Sequence, residues 1–278
     1  MGASEIIRTI VQEFPLALYG SILVGISCAF LGVYIVARRV VFLGAVLTQV
    51  SVMGLALTFL PFFPVPHTVG SLGITMATVV ILSRMLTGKK IPRDGVLGVV
   101  FITSVAARIL IMQKAQRVEV AEIENLLRGD ILFVTPELFA LMAGAFAVAM
   151  VLHLLFFKEF TYTSFDPETA QTQGFNAAGW DLAFYLIAAA LIAFATHMVG
   201  DLFVFGFLVI PPVTAMLLTR SVKAIFLLSV AIGAIAPVVG LFLAFVIDVP
   251  ASPAIVGVAS VMLGAAWLWS VIPSRRPR

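Results

Sequence analysis

The chain has 278 residues, 62% of them apolar and 11% charged, with a mean hydropathy of +1.14. Water-soluble domains average about 45–50% apolar and about 25% charged, so a water-soluble fold is excluded and the solvent of this chain is lipid. The formal net charge of +3 does not point to nucleic acid, because the Lys and Arg residues fall in short segments between apolar runs, where they act as orientation signals.

A membrane span needs about 20 apolar residues. In chain order, such stretches fall at 15–37, 40–60, 66–87, 95–112, 136–157, 180–197, 201–218, 223–247 and 253–272. The first is too long for a signal-peptide core and lacks a small-residue cleavage site, so it reads as a true span. It holds the single cysteine, Cys28, which excludes a disulfide framework. Arg38 and Arg39 form a short turn between the first two spans. The second span carries Thr48, Gln49 and Ser51 in its middle. Such side chains either bond across membrane helices or line a path. His67 follows the Pro-rich "LPFFPVPH", and His153 lies near the end of the fifth span. Both read as packed residues rather than ligands. Arg108 in the fourth span is costly against lipid, so it snorkels outward or faces an interface or path.

The sixth and seventh spans meet in so tight a hairpin that either is a candidate half-helix, and the total is eight or nine. His197 and Asp201 lie four apart there, around Gly200. They form a candidate metal pair, a wet helix end, or the H-x-x-x-D of an intramembrane enzyme without a second catalytic set. In the seventh span Pro211 and Pro212 release carbonyls at membrane depth, which is tolerated only where the backbone is buried or lines a cavity. Pro211 is therefore a candidate for the path as well as for a packing kink.

Sorting the loops by side puts twelve Lys and Arg residues, Arg38, Arg39 and Lys158 among them, on one side and four on the other. The expected orientation has the N-terminus outside and the C-terminus in the cytoplasm. The outer loop 113–135 suits either an interfacial helix with an acidic face or a solvated charged loop. The cytoplasmic loop 158–181 is expected to start a short helix at Asp166-Pro167-Glu168 and to end it at Gly174, with Asp166 as the cap and Pro167 in the first turn. Such a helix is a handle for a soluble partner.

Four segments in order resemble the membrane permeases of the zinc, manganese and iron-chelate family of ATP-binding-cassette importers. They are "GVYIVARRVVFLG" (32–44), "LLRGDILFVTPELF" (126–139), "DPETAQTQG" (166–174) and "VGDLFVFGFLVIPPVTAMLL" (199–218), the last the most specific. The resemblance implies an all-α polytopic membrane protein, a type II importer permease formed by 1–278 as one transmembrane domain and working as a homodimer. It implies cytoplasmic ATPase subunits that bind the ATP, an extracytoplasmic substrate-binding protein, the inner membrane of a prokaryote, and no covalent chemistry in this chain. It also implies that Asp166, Glu168, Ala170 and Gly174 belong to a helix that couples to the ATPase. The cargo implied is a divalent metal such as zinc or manganese, or a metal chelate. Family members carry an Asp and a His on consecutive turns of span two; here those positions are Ala45 and Gln49. Ala binds no metal, and a neutral amide oxygen is a weak, hard ligand. The expected path face is then Ala45, Gln49 and Met53, with His197 and Asp201 as candidate replacement ligands. The rival readings are a secondary transporter or channel without an ATPase, and an intramembrane enzyme using His197 and Asp201.

Overall fold

A computed structural model describes residues 3–60, 63, 65–86, 91–114, 131, 134–166, 170, 172–174 and 176–271. Among these residues the secondary structure is helical throughout. The helices are α1 (Ala3–Glu13), α2 (Pro15–Ala37), α3 (Phe42–Thr58), α4 (His67–Leu86), α5 (Arg93–Met112), α6 (Pro136–Leu155), α7 (Phe157–Phe165), α8 (Ala177–Val199), α9 (Asp201–Leu218), α10 (Val222–Ile247) and α11 (Ala251–Val271). The expected interfacial helix or charged loop of the outer segment falls largely on 115–130, outside the described residues.

Eight of these helices are long and apolar enough to cross a membrane, and α3, at 17 residues, is a shorter apolar one. At 1.5 Å per residue α3 spans about 25 Å, short of a hydrocarbon core of about 30 Å. The ambiguity between eight and nine therefore belongs to α3. Neither candidate half-helix at 180–218 is one: α8 has 23 residues and α9 has 18. The chain turns between them at Gly200, whose φ of 82° is open to glycine and strained for other residues. The short helix α1 went unread. Its Ile10 is buried while Arg8 and Gln12 are exposed and joined by a 2.9 Å hydrogen bond.

By contacts the chain divides into two units, residues 1–36, 126–140 and 198–278, and residues 37–125 and 141–197. In the first unit α9, α10 and α11 pack on one another. Small residues let backbones meet: a Cβ on Gly25 of α2 would strike the Gly233 carbonyl of α10, and one on Gly240 of α10 would strike the Ile255 backbone of α11. Ser229 Oγ adds a 2.9 Å bond to the Ala29 carbonyl across the α2–α10 contact. Lipid tails are as apolar as the side chains, so close packing and interhelical bonds hold such helices together.

In the second unit α3 is the central element, packed against α4 and α5. Thirteen of its residues are buried. By contrast α5 and α6 leave Ile102, Leu110, Val148 and Leu154 more than half exposed, surface suited to lipid or to another subunit.

Candidate functional site

The partly exposed residues of α3 are Phe42, Gln49, Met53 and Leu57. Steps of seven and four place them on one helical face. Ala45 stands on the same line and is 6% exposed. The three expected path residues of this helix therefore share a face. The other mid-helix hydroxyls are used elsewhere. Thr48 Oγ1 donates to the Ala45 carbonyl at 2.9 Å. Ser71 Oγ of α4 donates to the Ser51 carbonyl at 2.7 Å and lies 2.9 Å from Ser51 Oγ. A hydroxyl has one proton, so Ser51 is the donor in that second bond. Ser51 is glue between α3 and α4, and Gln49 is the polar side chain on the remaining face, half-buried and with its Oε1 buried.

Pro211 belongs to the first unit and is buried with Pro212 inside α9, which stays helical through both prolines. A proline at 212 removes the N–H that would bond the Leu208 carbonyl. That carbonyl is the atom a Cβ on Gly32 of α2 would strike. The released carbonyl is therefore packed under α2, which gives Pro212 a structural role. Thr214 Oγ1 bonds the Ile210 carbonyl at 2.7 Å one step along.

His197 sits in the last turn of α8, with a buried Nε2 that has no hydrogen-bond partner among the described residues. Asp201 is the first residue of α9. The two fall in different units. No group of three or more His, Cys, Asp or Glu able to hold a metal occurs among the described residues, whereas a lasting zinc site takes three or four protein ligands. His67 and His153 are packed, as expected. His67 Nδ1 lies 2.6 Å from Thr58 Oγ1 and its ring meets Phe59 at 4.4 Å. His153 Nδ1 bonds the Ala149 carbonyl at 2.7 Å and its ring stacks on Phe160 at 4.4 Å. Arg108 is half-buried on α5.

The segment after α6 forms α7 and then turns at Asp166. The Asp166 N–H closes α7 on the Tyr162 carbonyl at 2.9 Å, and the Asp166 carbonyl accepts from the Ala170 N–H at 3.1 Å. That second bond spans four residues, as at the start of a helix. Ala170 is buried and helical, Thr172 is helical, and Gly174 turns with φ 83°. Glu168 lies outside the described residues.

The residue that sequence reasoning underrated is Arg38. Expected only to mark a turn, it is 8% exposed. Its Nε donates to Ser164 Oγ at 2.9 Å and its Nη2 to Thr163 Oγ1 at 3.2 Å. Nη1 makes an ion pair with the Asp181 carboxylate, and the guanidinium lies over the Phe184 ring, 4.4 Å from its centre. Arg39, with φ 57°, is exposed. A cavity of about 680 Å³ opens here, lined in part by Arg38, Arg39, Arg93, Asp94, Asp166 and Asp181. The available signal was an acid at the start of a span, Asp181, which calls for a cation.

Eight long apolar helices among the described residues, around a short and largely buried one, define a polytopic membrane protein. The model of the ABC 3 transport family matches residues 12–269, and the chain belongs to that family. Among similar proteins is a Haemophilus influenzae protein named "Probable iron transport system membrane protein", 28% identical over 249 residues, covering 89% of this chain and 86% of that one. The manganese import system permease protein ScaB of Streptococcus gordonii is 26% identical over 240 residues, 86% of this chain and 85% of the other. The manganese transport system membrane protein MntD of Bacillus subtilis is 27% identical over 268 residues, 90% and 89% of the two chains. Among solved structures, PsaBC from Streptococcus pneumoniae in complex with Fab superposes with a TM-score of 0.85 at 25% identity, covering 98% of this chain and 97% of that one.

Proposed function

We propose that this chain is the permease of an ATP-driven importer that carries a divalent first-row metal ion, manganese or iron, through a homodimer. Two cytoplasmic ATPase subunits bind and hydrolyse the ATP, and an extracytoplasmic binding protein delivers the metal. The observation that carries this reading is near end-to-end likeness to permeases named for manganese and iron transport. The Lys and Arg distribution orients the 166–174 segment toward the cytoplasm, where an ATPase meets it.

The α3 face supports the choice of cargo. Gln49 carries an amide oxygen, buried in this conformation, and carbonyl, carboxylate and water ligands suit manganese, whereas imidazole suits zinc. The Asp and His of the family pattern are Ala45 and Gln49 here, so the metal is held loosely in transit. Passage through a membrane requires binding weak enough to release. Met53 lies one turn further along the face; Pro211, a second path candidate, lies buried inside α9 of the first unit. His197 and Asp201 are the alternative ligands, at the end of α8 and the start of α9.

The test is manganese uptake by cells that depend on this permease, with the ATPase subunit intact or with its phosphate-binding lysine replaced. The importer reading expects uptake to fall to the background of a permease deletion when that lysine is lost. Unchanged uptake would make the chain a secondary transporter or channel.

A further inference from the structure

We infer that Arg38 is the positioning residue of the coupling segment, gripping both ends of 166–174 from one side chain and transmitting its movement to α3. The inference rests on the reading of 166–174 as the ATPase contact. Thr163 and Ser164 immediately precede that segment, and Asp181 follows it at the start of α8; Arg38 holds all three. Both approaches to the segment are thereby fixed to one guanidinium.

The chemistry explains why the residue is arginine. A buried cation is tolerated only when paired and hydrogen-bonded. The guanidinium presents donors in a planar fork and stacks on an aromatic face, and here it does both, over Phe184. A lysine has one charged nitrogen on a flexible stem. It can meet the Asp181 carboxylate, but not the two hydroxyls and the ring in the same pose.

The other end of the linkage is short. The turn after Arg38 closes with the Leu43 N–H on the Val40 carbonyl at 2.9 Å, and α3 begins at Phe42. The first turn of α3 thus follows Arg38 almost directly, and Gln49 stands two turns along the same helix. Ala170, Ser164, Asp181, Arg38 and Gln49 all belong to the second unit. Coupling energy travels through such packed and hydrogen-bonded elements. A side chain that only stabilised the fold would alter the amount of working transporter and leave the metal carried per ATP unchanged.

The test uses the whole transporter, drawn from native membranes by a tag on the permease and placed in liposomes with its binding protein. Manganese(II) taken up is measured against ATP hydrolysed. Arg38→Lys and Asp181→Asn are expected to assemble with the ATPase and to hydrolyse ATP, while manganese per ATP drops by between about 5- and 150-fold, the usual range of coupling between sites. Ser164→Ala, which removes one acceptor and leaves the ion pair, is expected to lower the ratio less. It decides the matter with Asp181→Asn if Arg38→Lys does not assemble. Wild-type manganese per ATP in these variants overturns the role of Arg38. Ala170→Glu serves as the reference, because it alters the segment itself. If it uncouples while the Arg38 and Asp181 variants do not, the coupling segment stands and the positioning role falls. If Ala170→Glu transports at the full ratio, the ATPase docks elsewhere and both readings fall.

Discussion

On the proposed path, Gln49 sets the strength of the α3 face. Its amide oxygen is one hard, neutral donor, Ala45 contributes a methyl group, and Met53 a thioether sulfur, a soft donor. Adding a carboxylate and an imidazole one turn apart should change this face from a conduit to a trap. The variant Ala45→Asp with Gln49→His is expected to purify with bound zinc or manganese, measured by elemental analysis, while the parent protein does not. An empty double variant would show that the face is dry and that the path lies elsewhere. On the proposal that α3 supplies the path, His197→Ala and Asp201→Ala are expected to leave manganese uptake near the parent level; loss of uptake would move the ligands to those two residues. The grouping of Ala45, Gln49 and Met53 was legible because the helical period alone decides which residues share a face. The clamp on Arg38 was not. Its partners lie 125, 126 and 143 residues away, and no local pattern reports a contact at that distance.

At the scale of elements, hydropathy and length revealed every long helix, because lipid demands about 20 apolar residues in a row. What it did not reveal is where helices are unusually short or close. The 17 residues of α3 sit in an apolar run that extends past the helix at both ends, so the sequence hid its ends. Close packing rests on particular glycines. At the α2–α10 crossing, a side chain on Gly25 meets a backbone carbonyl of Gly233, which cannot rotate aside as a flexible side chain can. Overpacking of this kind costs about 1–3 kcal/mol. Gly25→Val is therefore expected to lower the melting temperature of the detergent-solubilised protein. Gly98 on α5 has nothing near its missing Cβ, and Gly is up to about 1 kcal/mol worse than Ala inside a helix. Gly98→Ala should raise the melting temperature or leave it unchanged. If the two substitutions behaved alike, the close approach of α2 and α10 would not be a source of stability.

For the whole molecule the open matter is which way the chain faces, and it decides whether 166–174 can reach an ATPase at all. The basic side chains bias the answer, since Arg39 and Arg220 lie in turns that share one side if α3 crosses along with the long helices. The helix α10, with 26 residues from Val222 to Ile247, measures about 39 Å at 1.5 Å per residue, more than a hydrocarbon core of about 30 Å. Its two flanking turns must then lie on opposite sides of the membrane. Ser221 and Val249, just outside its two ends, are both exposed. The single Cys28 is buried, and Cys28→Ala gives a background in which an introduced thiol reports alone. In that background Val249→Cys is expected to react with a membrane-impermeant thiol reagent in intact cells. Ser221→Cys is expected to react only after the inner membrane is opened. The reverse pattern would place 166–174 outside, where no ATP is available to a partner subunit, and would end the coupling reading. Reaction of both residues from the same side would mean that α10 does not cross, which its length and its apolar sequence oppose.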